Sequence, residues 1–208
     1  MEIELKYSIR TGEIADAIWE DEEIVKMEEI GSRSTEELKA IYYDTAELDL
    51  LKHDIAYRIR EEGSYVIATL KWNGKTVGAL HTREELNVSL SEEKCPDQPD
   101  PSVFIQSEIG AELLELIGEK QLFGFIEVHV SRRKVRVDNN QAIFEIALDS
   151  GVVSTQNGTC LISEAEIELY SGKEDQLISF GEHLAQKYEL VPETRSKFSR
   201  GLTLLNKI

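Results

Sequence analysis

The sequence predicts a β-dominated α+β fold: an eight-stranded antiparallel closed β-barrel that forms a tunnel, with helices packed outside. Three observations carry this expectation. Segment after segment alternates apolar and polar residues with period two, and these segments follow one another across short turns without intervening helices. Nearly every such segment has one apolar face and one face bearing full charges. About eight strands of this kind commonly close into a barrel.

Residues 2–9 alternate Glu, Ile, Glu, Leu, Lys and Tyr and read as a strand. Residues 12–28 place Ile14, Ala17 and Ile18 at helical spacing, which predicts one or two acidic helical segments. Residues 37–43 are β-like, Asp44-Thr45-Ala46 is a turn or helix N-cap signal, and 47–53 suit a short helix. Residues 55–61, 64–72 and 82–88 read as consecutive strands. Glu62-Gly63 joins the first pair, and Asn73-Gly74 marks a turn after the second. Residues 91–101 hold three of the four prolines and read as a linker between the halves of a single domain spanning 1–208. A helix is expected over 103–117, ended by Gly118. Strands resume at 122–130, 132–137, 142–148 and 162–170. A last amphipathic helix covers about 174–188, and the tail from Pro192 is helical near its end.

A chain of 208 residues can bury a core without disulfide staples. Its two cysteines, Cys95 and Cys160, are too few for a disulfide framework and read as reduced thiols. No apolar run approaches the roughly 20 residues of a membrane span, and the N-terminus is charged from Glu2 onward, unlike a signal peptide. The expectation is a cytoplasmic protein. The 23 basic residues against 40 acidic ones give a charge of -17, which argues against a nucleic-acid partner but not against a local basic pocket.

The charged faces are sorted by sign. Arg58 with Arg60, and Arg132 with Lys134 and Arg136, are purely basic; Glu164, Glu166 and Glu168 are purely acidic. Taken strand by strand, a one-sided sheet with a solvated face accounts for each. Taken together, like charges two apart gain nothing on an exposed strand. They make sense where strands of opposite sign face one another, or where metal ions and an anionic ligand lie between them. Facing inward, Lys6, Arg58, Arg60, Lys71, Arg83, Arg132 and Lys134 would oppose Glu2, Glu4, Glu85, Glu145, Asp149, Glu164, Glu166 and Glu168. The carboxylates are hard oxygen ligands suited to Mg²⁺ or Mn²⁺, and the Arg and Lys side chains suit a polyphosphate. The chain carries no Gly-rich phosphate loop.

These residues resemble a known family. Glu2-x-Glu4-x-Lys6 is similar to the ExExK signature of the CYTH superfamily, the triphosphate tunnel metalloenzymes. Further landmarks follow in the family's order: Tyr43-Asp44-Thr45, Arg58-x-Arg60, Thr69-Leu70-Lys71, Arg83-Glu84-Glu85, Arg132-x-Lys134, Glu145-x-x-Leu148-Asp149-x-Gly151, Glu164-x-Glu166-x-Glu168 and Ser196-Lys197. They span residue 2 to about 201, and the bacterial inorganic triphosphatase branch looks closest.

The resemblance implies an eight-stranded tunnel and metal-dependent hydrolysis of a triphosphate, foremost inorganic triphosphate to pyrophosphate and phosphate. It implies Mg²⁺ or Mn²⁺ held by Glu2, Glu4, Glu166 and Glu168, helped by Glu164 and Asp149. Lys6, Arg58, Arg60, Lys71, Arg83, Arg132, Lys134 and Lys197 would hold the phosphates, with Glu85 and Glu145 orienting those cations. Glu4, Glu166, Lys6 and Lys71 would carry catalysis. The same scaffold hosts class IV-type adenylate cyclases, which make cyclic AMP from ATP; that reading stays open, as does a non-catalytic polyphosphate or nucleotide binder. Only Met1 precedes the first motif, whereas cyclases often carry an aromatic or His-Phe pair there, and the chain leaves no room for the helical domain that some bacterial relatives append. A homodimer is compatible with the sequence, though nothing in it fixes one.

The four histidines are scattered without metal spacing, and His81 alone shares parity with a tunnel cation, Arg83. Trp19 and Trp72 read as core, Tyr43 and Asp44 as a turn closing onto the barrel, and neither cysteine as a nucleophile.

Overall fold

The computed structural model describes residues 1–90 and 99–207. Most of the expected linker, with Cys95, lies outside the described residues. The strands are β1 (Glu2–Ser8), β2 (Ser34–Thr45), β3 (Ala56–Glu62), β4 (Tyr65–Val77), β5 (Leu80–Leu90), β6 (Leu122–Asp138), β7 (Ile143–Thr155), β8 (Gly158–Ser171) and the two-residue β9 (Val191–Pro192). Helices are α1 (Gly12–Trp19), α2 (Glu22–Met27), α3 (Asp49–Lys52), α4 (Glu108–Ile117), α5 (Glu174–Tyr188) and α6 (Lys197–Leu204).

The sheet runs β5-β4-β3-β2-β6-β7-β8-β1, and β1 pairs back onto β5, so eight strands close into a barrel while β9 adds to β1 outside the ring. Every pairing is antiparallel. Closure removes the free edges that an open sheet of this length would expose.

Helix boundaries follow their caps. Asp21 accepts from the backbone N–H groups of Glu23 and Ile24 and starts α2, which splits the acidic 12–28 segment in two. Ser107 caps α4 through the Gly110 N–H, so that helix begins five residues later than the apolar pattern suggested, after a single 3-10 turn at Pro101–Phe104. Ser196 caps α6 the same way through Ser199.

Three boundaries differ from expectation. Asn73-Gly74 is no hairpin turn. Asn73 takes a positive φ inside β4, the register shifts between Trp72 and Lys75, and the strand continues to Val77. A bulge absorbs the extra residue, and the chain reverses at Gly78, also at positive φ. The expected break at Ser131 is absent; β6 runs unbroken past it, with Ser131 paired to Glu37 on one side and Ser150 on the other. Gly151 likewise sits within β7, where a Cβ would lie 2.0 Å from the His129 carbonyl oxygen.

Two apolar layers cover the outside of the barrel. Leu5, Ile146, Ile167 and Val135 pack under α1, α2 and α5 with Ile18, Ile24 and Leu177; Ile41, Tyr57, Ile59 and Leu70 pack under α3 and α4 with Leu50 and Leu113. A third layer lies inside. Leu38, Ala40, Tyr42, Val128 and Val130 line the interior, and with Ile126, Val153 and Ile162 they receive Leu202 and Phe198 of α6. The Phe198 ring sits 5.0 Å from Tyr42. At Gly201 a Cβ would fall 2.5 to 2.7 Å from Ile126 carbons, so the glycine lets α6 seat closely in one end of the barrel. The interior is therefore charged in one part and apolar in another. No helix among the described residues is long and apolar enough to cross a membrane.

Candidate active site

The charged part of the interior is a cavity of about 260 Å³. Alternation along each strand aims its lining inward. All eight cations expected to grip phosphate line it: Lys6, Arg58, Arg60, Lys71, Arg83, Arg132, Lys134 and Lys197. So do Glu2, Glu4, Glu85, Glu145, Glu166 and Glu168.

Opposite charges interlock around the wall. Arg83 donates from Nε to Glu2 and from Nη2 to Glu4, both at 2.6 Å. Lys71 reaches both oxygens of Glu2 at 3.1 and 3.0 Å and pairs with Glu85 as well. Lys6, 2 % exposed, lies 3.0 Å from Glu166 and 3.3 Å from Glu4. Burial alone would lower the Lys6 ammonium, but Glu166, Glu4 and Glu164 outweigh it and hold it above the ordinary lysine value. In the same way burial raises Glu2 and Glu85, yet Lys71, with Arg83 at Glu2 and Arg58 at Glu85, brings both below the usual carboxylate range, Glu85 to about 2.

Two cations are less engaged. Arg58 donates from Nη2 to Thr69 at 3.3 Å, and Arg60 pairs with Glu62 at 3.0 Å; the Nε of each has no hydrogen-bond partner. Both residues line the cavity, and each buried Nε is a donor left without an acceptor. Further along the wall, Lys134 is held by Glu62 at 2.9 Å and by Glu36 at 3.1 Å.

One row is short of positive charge. Glu4 stands opposite Glu168 on the β1–β8 pair, and Glu168 stands opposite Glu145 on the β8–β7 pair. Among the described residues neither Glu168 nor Glu145 makes an ion pair, so Glu145 does not clamp an Arg or Lys as expected. Like charges side by side on adjacent strands destabilise a sheet. Burial first, and then Glu2, Glu4, Glu145 and Glu85, push the Glu168 carboxyl up to about 7.

A second acidic cluster differs in kind. Asp149, Glu164 and Glu166 bring ligand atoms within 4.8 Å of one another, spacing that a metal could use. Cations already occupy it. Arg132 forks onto Asp149 with two 2.7 Å bonds and reaches Glu166 at 2.6 Å. Lys197 contacts Glu164, Asp149 and Glu166 at 2.5, 2.7 and 2.9 Å, and Arg200 pairs with Glu164. Asp149 and Glu164, expected among the metal ligands, do not line the cavity; with Glu166 they form a salt-bridged base beneath it whose ligand atoms keep the spacing of a metal site.

Several residues of the site were missed in the sequence. Glu62 and Asn87 share parity with Arg60 and Glu85, so alternation alone could have found them. Tyr42 was hidden in an apolar row. Burial raises its phenol, but Arg58, Lys71, Arg83 and Lys197 outweigh this and hold it below the ordinary tyrosine value. Arg200 sits three residues after Lys197 and had no strand pattern to betray it. His81 shares the parity of Arg83 yet lines a neighbouring, less polar hollow, with Nε2 2.9 Å from the Glu193 carbonyl oxygen. Tyr43 is core, and the Asp44 carboxylate accepts the N–H groups of Thr45, Leu50 and Leu51, which fixes α3 against the barrel.

Comparison with known proteins agrees with this geometry. The CYTH domain family matches residues 1–202. An inorganic triphosphatase of Haemophilus influenzae is 31% identical over 166 residues, covering 80% of this chain; the chain spans only 45% of that relative's length. A protein from Hippeastrum, described as an adenylyl cyclase with a dominant triphosphatase activity, shares the fold with a TM-score of 0.68 at 17% identity, covering 100% and 97% of the two chains. A Bacillus halodurans protein described as an adenylate cyclase superposes with a TM-score of 0.61 at 20% identity, over 96% of each chain.

Proposed function

Because the chain belongs to the CYTH domain family, we propose that it is a metal-dependent triphosphatase, hydrolysing inorganic triphosphate to pyrophosphate and phosphate within the barrel. The observation that carries the reading is the pairing of two unlike walls. Arg58 and Arg60 line the cavity with few partners in the protein, while Glu4, Glu168 and Glu145 form a carboxylate row in which Glu168 and Glu145 have no ion pair among the described residues and which would attract a cation. Those carboxylates are hard oxygen donors and fit a divalent ion, Mg²⁺ or Mn²⁺, with Glu2 and Glu166 adjacent. When bound, such an ion neutralises phosphate oxygens and lowers the pKa of a coordinated water.

The chain's own groups do the rest. Arg58, Arg60, Lys71 and Arg83 bind and straighten the phosphate chain, and fixed cations stabilise charge on the departing pyrophosphate. Lys6 holds Glu4 and Glu166 in place, and Arg132 holds Glu166 as well. A cavity of about 260 Å³ falls just under the roughly 300–1,000 Å³ typical for drug-sized ligands, which favours a small inorganic substrate. Residues 1–208 would act as one domain, since β1 closes against strands from both halves. The acidic exterior disfavours nucleic acid, and the cytoplasm suits the unpaired Cys160.

The test is phosphate release from tripolyphosphate with Mg²⁺ or Mn²⁺, with ATP and thiamine triphosphate run in parallel. Release that stops with chelator, and in Glu4→Gln and Lys71→Ala variants, supports the reading. Cyclic AMP from ATP without orthophosphate would replace it with a cyclase, and binding without turnover under any metal would replace it with a sensor.

A further inference from the structure

The base beneath the cavity contains one cation that never touches it. Arg200 is 5 % exposed, and its Nη2 reaches Glu164 and Glu193, the latter at 3.3 Å, while it is absent from the cavity lining. Lys197 and Arg200 stand at i and i+3 on α6, so the helix presents them side by side. Lys197 takes Oε1 of Glu164 and Arg200 takes Oε2.

We propose that Arg200 is a positioning residue for Lys197: by sharing Glu164, it leaves the Lys197 ammonium free to turn toward a phosphate in the tunnel. This deepens the triphosphatase reading and rests on it. Lys197 has three carboxylate partners, and a phosphate must draw it from them. Asp149 and Glu166 lose little, because Arg132 holds both and Lys6 holds Glu166. Glu164 is fully buried, and its only other ion-pair partner among the described residues is Arg200. Without Arg200, each approach of Lys197 to substrate would strand a buried, unpaired carboxylate, the costly half of a broken buried pair. Arg200 is itself held in place by Glu193, which Arg195 and Ser8 also contact. Lys197 enters the tunnel directly; Arg200 sets how firmly it is held back.

The experiment measures tripolyphosphate affinity by isothermal titration calorimetry alongside KM and kcat. Arg200→Met should raise Kd and KM about tenfold, the size of one lost charged hydrogen bond, with kcat changed little. Arg200→Lys should restore most of the loss. In a Lys197→Met background, Arg200→Met should add nothing, since its effect runs through that ammonium. In a Glu164→Gln background it should also add nothing, because no charge is left to strand; this pair keeps the test available if the single variant folds poorly. A loss of the same size in both backgrounds, or a lower melting temperature with unchanged Kd and KM, would show a purely structural role and overturn the proposal. Wild-type protein that neither binds nor cleaves tripolyphosphate would instead sink the functional reading, and this inference with it. Binding without cleavage leaves the Kd comparisons decisive.

Discussion

Glu4 and Glu168 are register partners across β1 and β8, two carboxylates facing the same cavity in a row that continues to Glu145. Such a row strains the empty protein and welcomes a cation. Glu168→Gln should therefore stabilise the metal-free protein by about 1 kcal/mol, roughly 2–4 °C in melting temperature, while abolishing the rise that Mn²⁺ gives the wild type. Thermal melts with metal and with chelator check both signs. Lower stability of the metal-free variant would refute the repulsion.

Arg58 and Lys71 divide their labour differently. Arg58 has a free Nε and one weak neutral contact, so Arg58→Ala should raise KM about tenfold with melting temperature nearly unchanged. Lys71 balances Glu2 and Glu85, so Lys71→Ala should lose activity and also destabilise, by about 2 kcal/mol. Steady-state kinetics and denaturant unfolding separate the two.

Acid should reveal Asp21. Its side chain caps α2 and meets Lys187 at 2.7 Å and the Tyr188 hydroxyl on α5. Burial opposes its ionisation, but Lys187, Tyr188 and two backbone N–H groups prevail and lower it from 3.8 to about 2. A depressed carboxyl contributes stability that is present above its unfolded pKa and lost as pH falls through the folded one. Asp21→Asn should thus cost about 2 kcal/mol at neutral pH, and the gap to wild type should close between about pH 4 and pH 2. Urea unfolding across that range measures it. A gap independent of pH would mean that the cap, not the charge, carries the effect.

The seat of α6 should be intolerant of bulk. Gly201→Val places carbons on Ile126 and adds a β-branched residue to the helix, for a loss of about 2–3 kcal/mol. Because α6 also delivers Lys197, KM for tripolyphosphate should rise with it. Unchanged stability would show that the helix can slide without cost.

Strand number, barrel closure and the inward residues were legible because a two-residue period reports which face each side chain takes. Arg58 with Arg60, and Glu166 with Glu168, sit on that face as alternation demands. The bulge at Asn73 was not legible, since the same dipeptide serves a hairpin turn, and only the register on both sides distinguishes the two. Nor was the apolar half of the interior: Leu38, Ala40 and Val128 read as ordinary core until α6 is seen to enter the barrel. Pairing between charges was beyond reach too. Asp149 and Glu164 have ligand chemistry, and their removal from the cavity depends on Arg132, Lys197 and Arg200 arriving from other parts of the chain.

The join between β1 and β8 pairs residues far apart in the chain, Glu4 with Glu168 and Ser8 with Glu164, and this orders events during synthesis. β1 can meet β5 once the first half of the barrel is made, but its other neighbour, β8, is made much later, so ring closure is a late, non-local step. Meanwhile the future lining carries its charges in open water, where they discourage the strand-to-strand sticking that an unfinished sheet invites. The ionised groups that suit the finished chamber to its cargo would also protect the nascent protein on the way there.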